Sequence, residues 1–325
     1  MPKRPLIIDT DTGCGFVHAA MLVAGCGLFD IKGACTVYGS TTAKRAAVHA
    51  AYLRDLCADY YPVVSGAEKP ILVRRKNSMS PDDCSALEDT EGMYTFSPDP
   101  EERAWDFIYR TAVSLDGEAE LFCTGPLTNI AIAVIRHRDL PRFIKRITIA
   151  AGTSREGNAT AYAEYNVYSD PHAFKCVLDA GFRQVDLVEL EFCGTAFLNS
   201  NDTEKRIPEA TADNIWKSLL GSCERRRETS VRERSLVQGV ADPAKTYWHD
   251  AAAAFALAIP AAVSASNVYA MVELRSEISS GRTLFDFNRR FTDDPNVRLA
   301  LYTQREMFAD FYFRCLRTFD RRKGG

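Results

Sequence analysis

No stretch of this chain approaches the roughly 18 uninterrupted apolar residues of a membrane-spanning helix. Residues 1–5 run straight into the first apolar segment, without the longer hydrophobic stretch of a secretory signal. A transmembrane span is therefore excluded, and a cytoplasmic protein is expected. An excess of one charge is missing too: 40 Lys and Arg against 43 Asp and Glu leave a net charge of −3. That balance gives no electrostatic case for a nucleic-acid or membrane partner. The ten cysteines form no CxxC pair and no metal-like spacing. Most, such as Cys26, Cys35 and Cys176, lie in apolar stretches where a reduced thiol packs as a small hydrophobe, so they read as free. Internal repeats and a second-domain boundary are also absent, and residues 1–325 read as a single domain.

What is present is an alternation of strand and helix patterns. The apolar run Leu6-Ile7-Ile8 enters the turn Asp9-Thr10-Asp11-Thr12-Gly13, and residues 17–24 then look helical. This strand-turn-helix unit sets polar groups at the C-terminal edge of a parallel sheet. Asp9 and Asp11, two apart on a strand, point to one face. They can share a cation, a proton or a ligand, or they can simply cap the turn and the helix. Strands are expected at 31–37, 61–65, 120–123, 146–152 and 184–190, with helices at 43–58, 101–114, 130–136 and 171–180. That spacing predicts an α/β fold: an open, mostly parallel sheet with helices on both faces.

Between residues 72 and 100 the periodicity lapses, and a stretch of that kind after a strand could lid a pocket. Residues 157–171 are the most polar-aromatic segment. A Glu and two Asn bracketed by Tyr suit a sugar, whose hydroxyls need donors and acceptors, although the same residues serve as turn caps. The arginine-rich stretch 207–238 interleaves Glu224, Glu228 and Glu233 and reads as a solvated helical face. Trp248-His249-Asp250 opens an apolar helix, with Asp250 by default its N-terminal cap. A β-rich segment at 268–274 and 282–287 and an aromatic helix over 298–319 complete the expectation.

Four segments in this order, IIDTDTG at 7–13, CTGPLTNIAIA at 123–133, NATAYAEYNVYSDP at 158–171 and HD at 249–250, resemble the inosine-uridine-type nucleoside hydrolases over nearly the whole chain. The resemblance implies hydrolysis of the N-glycosidic bond of a purine or pyrimidine ribonucleoside at a calcium ion, by a homodimer or homotetramer. The family's opening motif is DxDPGxDD. Asp11 matches the Asp that binds calcium and activates water, and the motif's Pro falls on Thr12. Its last two Asp, one contacting the sugar and one binding calcium, fall on Gly15 and Phe16. The other implied calcium ligands are the Thr124 carbonyl and Asp250. Ribose contacts fall on Asn158, Glu164 and Asn166, with Ser40 where the family commonly has Asn, and His249 matches a residue that assists the leaving base in some members.

Calcium takes about six to eight oxygens and prefers several carboxylates. Each lost charge-assisted contact costs on the order of 1 to 3 kcal/mol, or about ten- to a hundredfold in affinity. The motif thus predicts a sugar side better kept than the metal side, with a weakened or empty cation site. Three activities are compatible with that: a ribosyl hydrolase with a weakened metal site, a metal-free ribosyl-binding or regulatory protein, or a glycosyl hydrolase using Asp11 as base and Glu164 or His249 as acid.

Overall fold

The computed structural model of the chain describes residues 2–72, 87, 94–199, 201–211, 213, 215–225 and 245–321. β1 (Arg4–Thr10) leads into α1 (Cys14–Gly25), β2 (Phe29–Thr36) into α2 (Ala43–Leu56), and β3 (Val63–Ser65) follows. α3 (Ala104–Ser114), β4 (Ala119–Cys123), α4 (Thr128–Arg136) and β5 (Ile144–Ala150) continue the alternation. The short α5 (Tyr165–Ser169) and α6 (Pro171–Leu178) lead to β6 (Val185–Val188). α7 (His249–Ala258), β7 (Ser264–Val272), β8 (Thr283–Asp286), β9 (Val297–Tyr302) and α8 (Arg305–Arg321) close the chain.

The strands form one nine-stranded sheet in the order β8-β7-β9-β6-β5-β4-β1-β2-β3. From β3 to β9 every neighbouring pair is parallel, and β7 and β8 add antiparallel at one edge. Alternation along each strand divides the core in two. Leu6 and Ile8 join Phe122, Ala150 and Val188 beneath α1, α2, α7 and α8, while Ile7 joins Leu121, Ile149 and Leu187 beneath α3, α4 and α6. Helix α1 is buried on nearly every side, as a helix apolar all round must be.

On the α1–α7 face, the lower ends of the strands carry charges in place of apolar side chains. Arg146 Nη2 lies 2.8 Å from Glu120 Oε2 and its Nη1 3.6 Å from Asp186. Arg4 Nη1 lies 3.5 Å from Glu120 and Arg298 Nη1 3.3 Å from Asp186. Arg4 also donates to the Leu257 carbonyl oxygen at 2.9 Å, satisfying the C-terminal end of α7 with a cation. That anchor fixes the level at which the opposite end of α7, with Asp250, meets the upper edge of the sheet.

Two expectations are corrected. Residues 297–302 are a strand beside β6, not the start of the last helix, which begins at Arg305. Val297 and Leu299 face one core while Ala300 faces the other, and a short apolar run with this alternation cannot be told from a helix by its composition. Helix α1 begins at Cys14, three residues earlier than expected, so Gly15 and Phe16 lie in its first turn. Residues 215–225 are helical as expected, but the rest of the stretch to 238 lies outside the described residues, as does most of 72–100. None of the nine described cysteines forms a disulfide.

Candidate active site

The site residues hang from consecutive strand ends. Asp11 follows β1, and the Thr124 amide, just after β4, donates to the Asp9 carbonyl oxygen at 2.9 Å. Asn166 Nδ2 donates to the last carbonyl of β5, Ala150, at 2.9 Å and to Thr124 at 3.4 Å. His249 Nε2 donates to the last carbonyl of β6, Val188, at 2.7 Å. All four therefore meet at the C-terminal edge, where open α/β sheets bind ligands.

Asp11 is buried, and its Oδ2 accepts from the Ser40 amide at 2.7 Å and the Ser40 hydroxyl at 3.0 Å. Gly39 makes this approach possible, since a Cβ there would stand 2.1 Å from Asp11 Oδ2. Burial pushes the Asp11 carboxyl up to about 6, against the Ser40 hydrogen bonds. Asp9, deeper on the same face, is pushed up to about 7 by burial, and Asn129 Nδ2 donates to its Oδ1 at 2.7 Å. Asn129 also accepts from the Ala67 amide at 2.8 Å and donates to the Thr36 carbonyl at 3.0 Å. It ties three strand-end loops together. Sequence reasoning gave it no role, although it closes the CTGPLTN segment.

Glu164 is the N-cap of α5: its carboxylate accepts from Gly152 at 3.0 Å, Asn166 at 3.0 Å and Val167 at 3.2 Å. Burial raises it to about 7. A carboxylate offers about four acceptor positions, so one remains for a ligand. Asn158 is half-buried and accepts from the Tyr165 amide at 2.8 Å, bracing the same loop. The Thr124 hydroxyl turns away to Thr10 Oγ1 at 2.9 Å, leaving the carbonyl on the site side.

His249 gives its Nε2 proton to a backbone carbonyl, which can only accept, so the neutral imidazole offers Nδ1 as an acceptor. Burial lowers its proton affinity to about 4. Asp250 is buried in the first turn of α7, but Trp248 occupies the cap position and no side-chain cap bond forms there. The N-cap position expected for Asp250 is thus held by Trp248, and Asp250 lies two residues further on, its carboxylate in the first turn at the positive end of the helix dipole. Cys193 lies within electrostatic reach of both Asp250 and Glu164.

Among the described residues, no group of three or more His, Cys, Asp or Glu side chains is arranged to hold a metal ion. One oxygen of Asp11 is taken by Ser40, Gly15 has no side chain, and Phe16 is packed in the core at 2% exposure. Asp11, Asp250 and the Thr124 carbonyl are the groups present here that could ligate calcium, which takes about six to eight oxygens.

The sequence model of the inosine-uridine preferring nucleoside hydrolases matches residues 6–310. A non-specific ribonucleoside hydrolase, RihC of Escherichia coli, is 24% identical over 92% of this chain and 93% of its own length. The structure of a plant nucleoside hydrolase, PpNRh1, superposes with a TM-score of 0.84 at 23% identity, covering 97% of this chain and 99% of that one. A purine-preferring ribonucleoside hydrolase from Gardnerella vaginalis gives 0.83 at 19% identity over 98% and 99% of the two chains.

Proposed function

The chain belongs to the inosine-uridine preferring nucleoside hydrolase family, and on that footing we propose that it binds the ribosyl half of a ribonucleoside and cleaves its N-glycosidic bond slowly or not at all. Asn158, Glu164, Asn166 and Ser40 are the ribose contacts in this reading. Asp11 is the acceptor for the proton of an attacking water. The observation that carries it is the pairing of a buried, hydrogen-bonded Asp11 with Asn166 and Glu164 at one sheet edge, without carboxylates at Gly15 and Phe16.

Hydrolysis breaks the bond from C1′ to the base nitrogen, puts the water oxygen on C1′ and sends a proton to the base. Asp11 can take the water proton. A neutral His249, its Nε2–H already given to Val188, offers little help to the departing base, which favours the second reading of a binding or regulatory protein without turnover. Calcium affinity is weak or lost. We further propose that residues 1–325 act as one domain in the cytoplasm, and as a homodimer or homotetramer. Phe287 and Phe291, 52% and 69% exposed, are the kind of side chains a partner copy covers.

A reducing-sugar assay with inosine and uridine, run with and without added calcium, tests the reading. Ribose release is expected to be slow or undetectable in both, while the nucleosides still bind. Rapid calcium-dependent release would refute it, and sedimentation showing only monomer at micromolar concentration would remove the oligomer.

A further inference from the structure

The turn between β1 and α1 takes a backbone path that the proline of the family motif could not take. Thr12, where the family motif has Pro, has φ +55°. A proline ring fixes φ near about −65°, so no prolyl turn can follow this path. A β-branched residue in the left-handed region is an outlier that its surroundings must enforce, and here they do. The Thr12 amide donates to Thr10 Oγ1 at 3.1 Å, and its hydroxyl stands 3.4 Å from His49 Nδ1. On the outer side, the Ser40 amide and hydroxyl hold Asp11 Oδ2. Gly125 closes the third wall, since a Cβ there would stand 3.0 Å from the Asp11 amide.

We infer that Thr12 and Ser40 lock this turn in a metal-refusing form, with Ser40 taking the place of a cation as the partner of Asp11. The loss of calcium affinity then lies in the path of the backbone, and the missing carboxylates at 15 and 16 are only part of it. Thr12 and Ser40 are positioning residues in this account, acting through Asp11. The inference rests on reading this edge as the family's ligand site.

The test is calcium calorimetry, with terbium luminescence as a second readout, on three proteins: the native chain, Gly15→Asp with Phe16→Asp, and those two combined with Thr12→Pro and Ser40→Asn. The native chain and the double variant are expected to show no dissociation constant below about 1 mM. The fourfold variant is expected to bind at least about tenfold more tightly than the double variant. Equal affinity in the two variants, or micromolar binding by the native chain, overturns the inference.

Thermal unfolding of single variants covers the case in which the multiple variants do not fold. Thr12→Gly is expected to keep or raise the melting temperature, because glycine takes a positive φ freely, and Thr12→Pro to lower it. A Thr12→Pro protein with native melting temperature and native metal affinity contradicts the lock. Nucleoside binding by the native chain is measured separately: its absence would sink the ribosyl reading while leaving the calcium comparison among the variants to decide the lock.

Discussion

Glu189 stands immediately beyond β6, buried, with Oε1 accepting from the Ser154 hydroxyl at 3.1 Å and Oε2 without a partner among the described residues. Burial, and then the Glu191 carboxylate beside it, raise its carboxyl from 4.5 to about 8. The unfolded chain gives up this proton near the ordinary value and the folded chain keeps it, so its contribution to stability falls as pH rises from about 5 to 8 and levels off above that. One such proton accounts for at most about 1.4 kcal/mol per pH unit. Glu189→Gln should flatten the slope, which urea unfolding at several pH values between those limits will show, and identical slopes would contradict the assignment. Phe16→Asp, made alone, removes a core ring and buries a charge, and should cost about 4 kcal/mol by the same measurement. An unchanged midpoint would mean that Phe16 is not packed as described. Asp11, Glu164 and Asn166 were legible in the sequence because their motif spacing is local. Glu189 was not, because its burial and its contact with Ser154 come from the neighbouring strand end, after β5. Nor was the Thr12 backbone, since nothing in a threonine's identity announces a positive φ.

At the scale of elements, the alternation of strands and helices was readable because each unit carries its own period, and the expected boundaries fall within about three residues of most of those observed. Strand β9 was missed because its partner, β6, lies more than a hundred residues earlier in the chain. Its assignment depends on a pairing that no local pattern encodes. The charged row from Arg4 through Glu120, Arg146 and Asp186 to Arg298 has the same origin: five residues on five strands, brought into line only by the sheet. Arg146→Met would leave Glu120 buried with Arg4, and Asp186 with Arg298 and the Gln184 amide. Removing one member of a buried pair costs on the order of 3 to 5 kcal/mol, so chemical denaturation should show a loss near the lower figure, since Arg4 and Arg298 remain. A loss under about 0.5 kcal/mol would show that the row contributes no more than surface pairs do.

Across the whole molecule, the parallel sheet sends the turns after β1, β4, β5 and β6 to one edge, and that geometry gathers a ligand site from residues spread over most of the sequence. The residues proposed to contact the ribose are kept in place by backbone contacts: Glu164 on three amides, Asn166 on two carbonyls, Asn158 on one amide. At the proposed metal side, Ser40 holds Asp11 and Phe16 packs in the core. A ligand recognised by the ribose contacts alone should bind without help from a cation. The most direct measurement is calorimetric titration of the native protein with inosine, once in excess chelator and once in millimolar calcium. The account predicts the same dissociation constant, within about twofold, in both. Binding that appears only when calcium is present would contradict it.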